Sequence, residues 1–525
     1  MDFFKFDSEV WIKLTEMLQY DSSSPMTLDS GFFLFAFMIF GLGYMAVRNH
    51  RMMRTLYVVA VSLYFYYKIS GLYLLLLLAV AISDYLIGGR IAKRLSEGKR
   101  SRGWVTLSMV INISILAYFK VGGLFEEAIN SLFGNGTINL GEILVPAGVS
   151  FFVFQSISYV IDLSRGVISP VKRFVDYLFL LSFFPKVFLG PLVRNKEFIP
   201  QIEREKIVVT HEDQGRAVTL IAGGLIKYAV LGKAIIQIVL NPAVAGEFGE
   251  SGVVMLVALL AFGIYLYCDF SGFSDMAIGI ALVMGYKLPD NFDAPFKSAT
   301  ITEFWRRWHI SLSTWLRDYL YISLGGNRKG RWRTYINLTI TMFVCAMWHK
   351  VNLPYVIWGL LQGVGLALHK LWLERVPGAK ALGKDMKWYW RVPASLLLFT
   401  FITLTWPMIC CDDWAGASVI YDRIIHNFAF GDIVPLMHSA GFGLVLVVIG
   451  YFLHFLPKRC NDLAVKAVTR SGFVGQVVVM VVAIWLVMQC QLMLAGDGAG
   501  PCICCILNLS NDEWCNVGLV AVRGA

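Results

Sequence analysis

The sequence predicts an all-α, polytopic membrane protein with about eleven transmembrane helices and with re-entrant or interfacial helices beside them. Composition is the first reason: hydrophobic residues make up 57% of the 525 and charged ones 16%, where a soluble domain carries roughly 25% charged. Mean hydropathy, at +0.63, is the second. The third is pattern, since apolar runs near the ~20 residues that a bilayer demands recur along the chain and alternate with basic and acidic connections. A formal net charge of +10 could point to nucleic acid. In a chain this apolar, however, Lys and Arg gather in cytoplasmic loops and orient the helices, so the lipid bilayer is the expected partner and nucleic acid is not.

The first thirty residues hold six acids, Asp2, Asp7, Glu9, Glu16, Asp21 and Asp29, against Lys5 and Lys13. A cleavable signal begins with a basic region, so none is expected and the first apolar run, 31–47, has to act as the insertion signal. Arg48, Arg51 and Arg54 follow it, and the positive-inside rule then puts the N-terminus outside. Residues 55–88 form an apolar block interrupted at 68–71, read as two helices that return to a basic, cytoplasmic segment spanning Arg90 to Arg102. The next crossing, 105–121, leads to GLFEEAINSLFGNGTINLGE, expected as an exterior loop. Segments 146–166 and 174–194 are apolar but punctuated by Pro185, Gly190 and Pro191, and they carry Gln155, Asp162 and Lys186. Irregular backbone and polar groups at membrane depth survive only where protein or a water-filled cavity satisfies them, so both segments are expected to wall a cavity.

Residues 195–215 are polar and precede a helix over 217–240; 253–284 then run back inward. Asp269 and Asp275 lie in that second run, too far apart in helical phase to share one narrow face, and Arg306 and Arg307 are the natural partners for them. Further helices are expected near 391–411, 440–456 and 473–494. There is no internal repeat and no soluble segment large enough to bury its own core. Residues 30–494 therefore read as one membrane domain, between an extracytoplasmic segment, 1–29, and a tail, 495–525, with no assigned role. Cys268, Cys345, Cys410, Cys411 and Cys490 fall in or beside apolar runs, where a thiol packs as a small hydrophobe. Cys502, Cys504, Cys505 and Cys515 crowd the tail without paired Cys-x-x-Cys spacing, so no metal site is expected.

Residues 302–363 carry the chemistry. They place His309 and His349 on either side of a basic turn, GGNRKGRWR, inside apolar, Trp-rich sequence. On a continuous helix His309 would share a face with Trp305, Leu312 and Leu316 and look toward protein. The basic turn either attracts an anionic ligand or is an ordinary positive-inside loop. His349 lies roughly fifteen residues beyond the last arginine of the turn, which at ~1.5 Å rise per residue reaches well into the hydrocarbon. An ionisable residue there is a functional candidate, because desolvation favours the neutral imidazole that can take a proton; the plain alternative is a hydrogen bond to a neighbouring helix. His211, His369, His426, His438 and His454 fall near helix ends or loops and are expected to be structural.

FWRRWHISLSTWLRDYLYISLGGNRKG and the following MWH, with VSFFVFQSISYVIDLSRG, FFPKVFLGPLVR and YCDFSGFSDMAIGIALVMGYKLPDNFDAPF, closely resemble the membrane-bound O-acyltransferases, within them the bacterial branch typified by alginate O-acetyltransferase. The resemblance spans roughly residues 30–490. It implies an enzyme that moves an acyl group, usually acetyl, from a cytoplasmic-side thioester (acetyl-CoA or a carrier-linked acyl group, a substrate and not a bound cofactor) to hydroxyls of an extracytoplasmic polysaccharide. A central tunnel through a bacterial cytoplasmic membrane protein would join the two sides, and periplasmic or membrane partner proteins of an acetylation complex are implied with it. His349 matches the general base and His309 the second, upstream histidine, expected to orient the base or the acceptor. Arg306, Arg307, Arg317 and Asp318 are candidates on the substrate or donor side. The family has Gly directly after the base, whereas this chain has Lys350, a further donor-side candidate whose bulk and charge bear on the local backbone.

Three other readings stay open at this stage. D-alanyl transfer to teichoic acid is the alternative within the family. A polysaccharide transporter would also need broken helices and buried polar groups, but would show corresponding breaks in two related halves. A non-catalytic scaffold of an acetylation complex is the third, and Lys350 is the feature that favours it.

Overall fold

The computed structural model describes residues 15–21, 26–134, 137–140, 144–377, 379 and 386–495. Much of segment 1–29 and nearly all of the tail 495–525, with its four cysteines, lie outside the described residues. All regular structure among the described residues is helical. Among the described residues eight stretches are long and apolar enough to cross a bilayer, and two shorter apolar helices, Gly31–Val47 and Val149–Ser164, accompany them. The first stretch, Arg51–Ser96, is two helices joined at Gly71, whose φ of 56° only a residue without Cβ adopts readily. That is the break expected at 68–71.

The helices belong to two compact units whose segments alternate along the chain. One comprises residues 1–119, 145–210 and 280–288. Its helices are α1 (Gly31–Val47), α2 (Arg51–Ser70), α3 (Leu74–Ser96), the first part of α4 (Arg102–Phe133), α5 (Val149–Ser164), α6 (Phe174–Ser182), α7 (Phe184–Val187) and α8 (Asn195–Ile202). Aromatic rings fill its interior, Phe184 meeting Phe65 at 5.4 Å and Phe40 at 5.5 Å between centroids. Several polar side chains inside it bond one another, although Asn112 Oδ1 and Gln155 Oε1 stay unpartnered. Asp84 on α3 accepts from Ser108 Oγ at 2.5 Å and Asn112 Nδ2 at 2.7 Å on α4, and from Ser156 Oγ on α5. Asn195 ties Gln155 at 2.6 Å to Asp162 at 3.0 Å. Arg54, fully buried, donates to the carbonyls of Arg48, Arg204 and Glu205.

Helix α4 corrects the sequence reading. It continues to Phe133, so the first part of the segment expected as a loop is helical: the Leu, Glu and Ala of LFEEAINSLF propagate it. Gly134, at φ 105°, follows its last residue.

The other unit takes residues 120–144, 211–279 and 289–525. Helix α9 (His211–Leu225) runs on through wide π turns at Ile226–Gly232 and Ile236–Leu240. Most of α10 (Gly252–Val283) follows, then α11 (Ile301–Arg307), α12 (Ile310–Trp315), α13 (Arg331–His349), α14 (Leu353–Arg375), α15 (Trp388–Thr405), α16 (Pro407–Cys410), α17 (Trp414–His426), α18 (Ile433–Phe455), α19 (Lys458–Arg470) and α20 (Gly472–Ala495). Small residues set its closest approaches. A Cβ on Gly359 would lie 2.6 Å from Ala346 Cβ, and one on Gly363 would lie 2.6 Å from Thr339 Cα, so α14 packs directly on the backbone of α13.

Helix α13 has 19 residues, about 28 Å at ~1.5 Å per residue, yet it is not among the eight stretches, because Arg331, Arg333, Asn337, Thr339 and Thr341 lower its hydropathy. In α10, Asp275 pairs with Lys227 from the first π turn and not with Arg306 or Arg307. Arg307 instead bonds Glu303 at 3.0 Å, one helical turn back on α11. The expected partners were chosen by charge alone; helix phase and the π turn bring a nearer lysine to the acid.

Candidate active site

His309 does not sit on a continuous helix. Thr300 caps α11 by accepting from Glu303 N at 3.1 Å, and α11 ends at Arg307. His309 then takes φ 44° and ψ 55°, the left-handed region, and precedes the first residue of α12. Few non-glycine residues occupy that region, although His does so more readily than most. The helical wheel drawn through Trp305, His309 and Leu312 is therefore wrong in register, while its conclusion, that His309 faces protein, agrees with an exposure of 3%.

The break is held by the strand-like loop after α10. Asp293 N bonds Arg307 O at 3.0 Å and Ile310 N bonds Asn291 O at 2.9 Å, so residues 291–293 clamp the backbone on both sides of the histidine. The Asn291 side chain adds three contacts through its oxygen: His309 Nδ1 at 3.1 Å, Ser311 N at 3.2 Å and Ser311 Oγ at 2.9 Å. Its Nδ2 donates to Ser274 Oγ on α10 at 3.1 Å. Phe270 stands edge-on to the imidazole at 4.7 Å.

His349 is the last residue of α13. Its carbonyl accepts from Lys120 Nζ on α4 at 3.2 Å, a cation at a helix C-terminus, where the dipole favours one. The following residue, Lys350, is extended at φ −150°, ψ 142°, and its ammonium pairs with Asp412. Asn352 then starts α14, accepting from Tyr355 N at 3.0 Å while donating to Asp412 O at 2.6 Å. The turn between α13 and α14 is thus fixed from both sides, and with it the position of the imidazole. The ring is flanked by Tyr355 and Trp358, each at 6.3 Å, and neither ring nitrogen has a hydrogen-bond partner among the described residues.

The two histidines line one cavity of ≈ 70 Å³, walled by aromatic rings from α10, α11 and α14, by Trp406 just after α15, and by Gln362. At about 10–15 Å³ per water position it has room for a few waters or for one small polar group. Gln362 is itself occupied, accepting from Trp305 Nε1 at 3.3 Å and donating to Thr405 Oγ1 at 3.3 Å. Among the described residues His309 Nε2 is buried with no partner on this wall. An apolar chamber with two open imidazoles can hold an acyl group and accept a proton.

The remaining candidates lie off this wall. Arg306 is exposed, Arg307 bonds Glu303, Arg317 and Asp318 pair with each other at 2.7 Å on an exposed turn of helix, and Lys350 pairs with Asp412. Segments 146–166 and 174–194, expected as cavity walls, are absent from the lining of this cavity; Gln155 Nε2 and Asp162 instead bond Asn195. Of the other histidines, His369 bonds Thr302 Oγ1 at 2.7 Å and His454 Nε2 accepts from Phe296 N at 3.1 Å, each leaving its second ring nitrogen buried without a partner, away from this cavity. Asn291, Lys120 and Gln362 were not singled out from the sequence. Asn291 had a weak signal there, an Asn after a proline in the loop that closes an apolar helix.

The model of the membrane-bound O-acyltransferase family matches residues 167–411, which include both histidines and every residue of the cavity wall. A protein of Pseudomonas putida named as a probable alginate O-acetylase is 34% identical over 419 residues, 78% of this chain and 81% of that one. The peptidoglycan O-acetyltransferase of Helicobacter pylori is 31% identical over 412 residues, 71% of this chain and 75% of its own. The teichoic acid D-alanyltransferase of Streptococcus thermophilus is 32% identical over 269 residues, covering 48% and 62%. The chain belongs to the membrane-bound O-acyltransferase family and is an integral-membrane O-acyltransferase.

Proposed function

We propose that the protein transfers an acetyl group from a thioester presented on the cytoplasmic side of the bacterial inner membrane to a hydroxyl of an extracytoplasmic polysaccharide, with His349 as general base. The observation that carries the reading is the shared cavity: two imidazoles with open ring nitrogens face one apolar chamber large enough for an acyl group. In the step proposed, the sugar oxygen attacks the thioester carbonyl as His349 takes its proton. The tetrahedral intermediate then collapses with cleavage of the C–S bond, and the departing thiolate recovers the proton from His349. General-base assistance of this kind contributes ~10²–10⁴ in rate. His309, on the wall of the same cavity, orients the acceptor.

The donor is read as acetyl-CoA or an acyl carrier and the acceptor as an exopolysaccharide, and periplasmic or membrane partner proteins would deliver the glycan. Acetyl transfer is favoured over D-alanyl transfer because the matches to acetylases cover over two thirds of the chain and that to the D-alanyltransferase under half. An N-terminus on the outer face is part of the reading, supported by the acidic first thirty residues and by Arg48, Arg51 and Arg54 after the first apolar run.

The test is His349→Ala in the producing bacterium, with ester-linked acetate on its exopolysaccharide measured after mild base. Loss of at least ~100-fold is expected for a base. Acetate at the wild-type level, with the variant present in the membrane in normal amount, overturns the assignment.

A further inference from the structure

Asn291 carries a contact set that fixes more than backbone. Its side-chain oxygen lies 3.2 Å from Ser311 N, a backbone N–H that can only donate. The atom facing it is therefore the amide oxygen and not the nitrogen, an assignment that the Nδ2 contact to Ser274 Oγ at 3.1 Å also satisfies. His309 Nδ1, 3.1 Å from that same oxygen, has only an acceptor to bond to and must carry the proton. A neutral imidazole protonated at Nδ1 is unprotonated at Nε2. Nε2 is the atom left buried without a partner, on a residue that lines the cavity. A buried acceptor held open in this way lacks only a donor.

We infer that Asn291 is a positioning residue for acyl transfer: it holds His309 as the Nδ1–H tautomer, so that Nε2 offers a lone pair to a hydroxyl of the incoming sugar. The inference rests on the reading of His309 as the residue that orients the acceptor, and it adds what does the orienting. Setting a tautomer by an acceptor behind the ring is a device whose loss in triad enzymes costs ~10⁴ in rate. The backbone clamp is separate from it, because Ile310 N bonds the Asn291 carbonyl, which any residue supplies. Truncating the side chain therefore removes the tautomer control and leaves the main-chain contact in place.

The direct test is solid-state ¹⁵N NMR of the full chain, labelled at its eight histidines and reconstituted in lipid bilayers, the His309 signals being those missing from His309→Ala. The expected wild-type pattern is a neutral ring with the proton on Nδ1. In Asn291→Ala the proton moves to Nε2 in a large fraction of molecules, and exopolysaccharide acetate falls at least tenfold. Asn291→Asp, which keeps an oxygen behind the ring, retains the Nδ1 proton and more acetate than Asn291→Ala. Should Asn291→Ala not accumulate, wild type and Asn291→Asp still decide the matter. A wild-type His309 protonated at Nε2, an Asn291→Ala ring unchanged in tautomer, or an Asn291→Asp ring without its Nδ1 proton overturns the inference. The underlying reading fails separately, through full acetate in His309→Ala while the tautomer is as stated.

Discussion

Asp84 in one unit and His309 in the other are both buried, and both sit in polar clusters inside helix bundles. The Asp84 carboxylate is engaged on both oxygens: Ser108, Asn112 and Ser156 all donate to it, and Ser156 Oγ also contacts Tyr177 Oη at 3.1 Å, while Asn112 Oδ1 stays without a partner. The His309 cluster is closed on one side, through Asn291, and open on the other, where Nε2 has no partner. Polar groups in an apolar surround are costly unless bonded, so an open one persists only when the rest of the fold holds it there. The difference is between an ionisable group engaged on every oxygen and one with an unpartnered nitrogen on a cavity wall. Burial is alike for Asp84 and His309; the engagement of the ionisable group is what differs.

Opposite outcomes are expected when each cluster is cut. His309→Ala removes an open group, so acetate should fall by about 100-fold or more, within the ~10²–10⁴ typical of such groups, while the amount of protein and its thermal midpoint in detergent stay near wild type. A large drop in the midpoint would mean that His309 is a packing residue after all. Asp84→Ala leaves three buried donors without their acceptor, each costing about 1–3 kcal/mol. Its thermal midpoint and accumulation should fall several-fold further than those of His309→Ala, with acetate per folded molecule unchanged. Reduced acetate per molecule at full stability would show that the Asp84 cluster also acts on the chemistry.

This distinction explains what could be read from the chain beforehand. Hydropathy and charge alternation locate spans, because transfer energy depends on composition over ~20 residues. The helix Gly31–Val47, the break at Gly71 and the broken segment at α6 and α7 follow from it. So do the two histidines, as ionisable residues in apolar sequence. What could not be read is who bonds whom. Gln155 and Asp162 look as much like cavity residues as His309 does until Asn195 is seen between them. Lys120 reaches the carbonyl of His349 from 229 positions away. His309 was placed on a helix because FWRRWHISLSTW has helical periodicity throughout; the left-handed turn at residue 309 comes from the clamp by residues 291–293, a tertiary effect that periodicity does not carry.

Lys350 gives the smallest expected effect and the sharpest check on that distinction, because it directly follows the proposed base and yet its ammonium belongs to a closed contact. Its backbone, at φ −150°, is one that any residue adopts, so the glycine usual in the family is not required here for conformation. Its ammonium pairs with Asp412, the two side chains being 29% and 43% exposed, and a pair that open to solvent is worth at most about 1 kcal/mol. Replacement by glycine adds roughly 0.5–1 kcal/mol of lost backbone order. Lys350→Gly should therefore lower the thermal midpoint slightly and leave acetate within about threefold of wild type. A double-mutant cycle with Asp412→Ala in the same assay should give a coupling near 1 kcal/mol in stability and none in acetate. A tenfold change in acetate in either direction would place the lysine side chain at the cavity instead of at Asp412, and would make the open cluster larger than its two imidazoles.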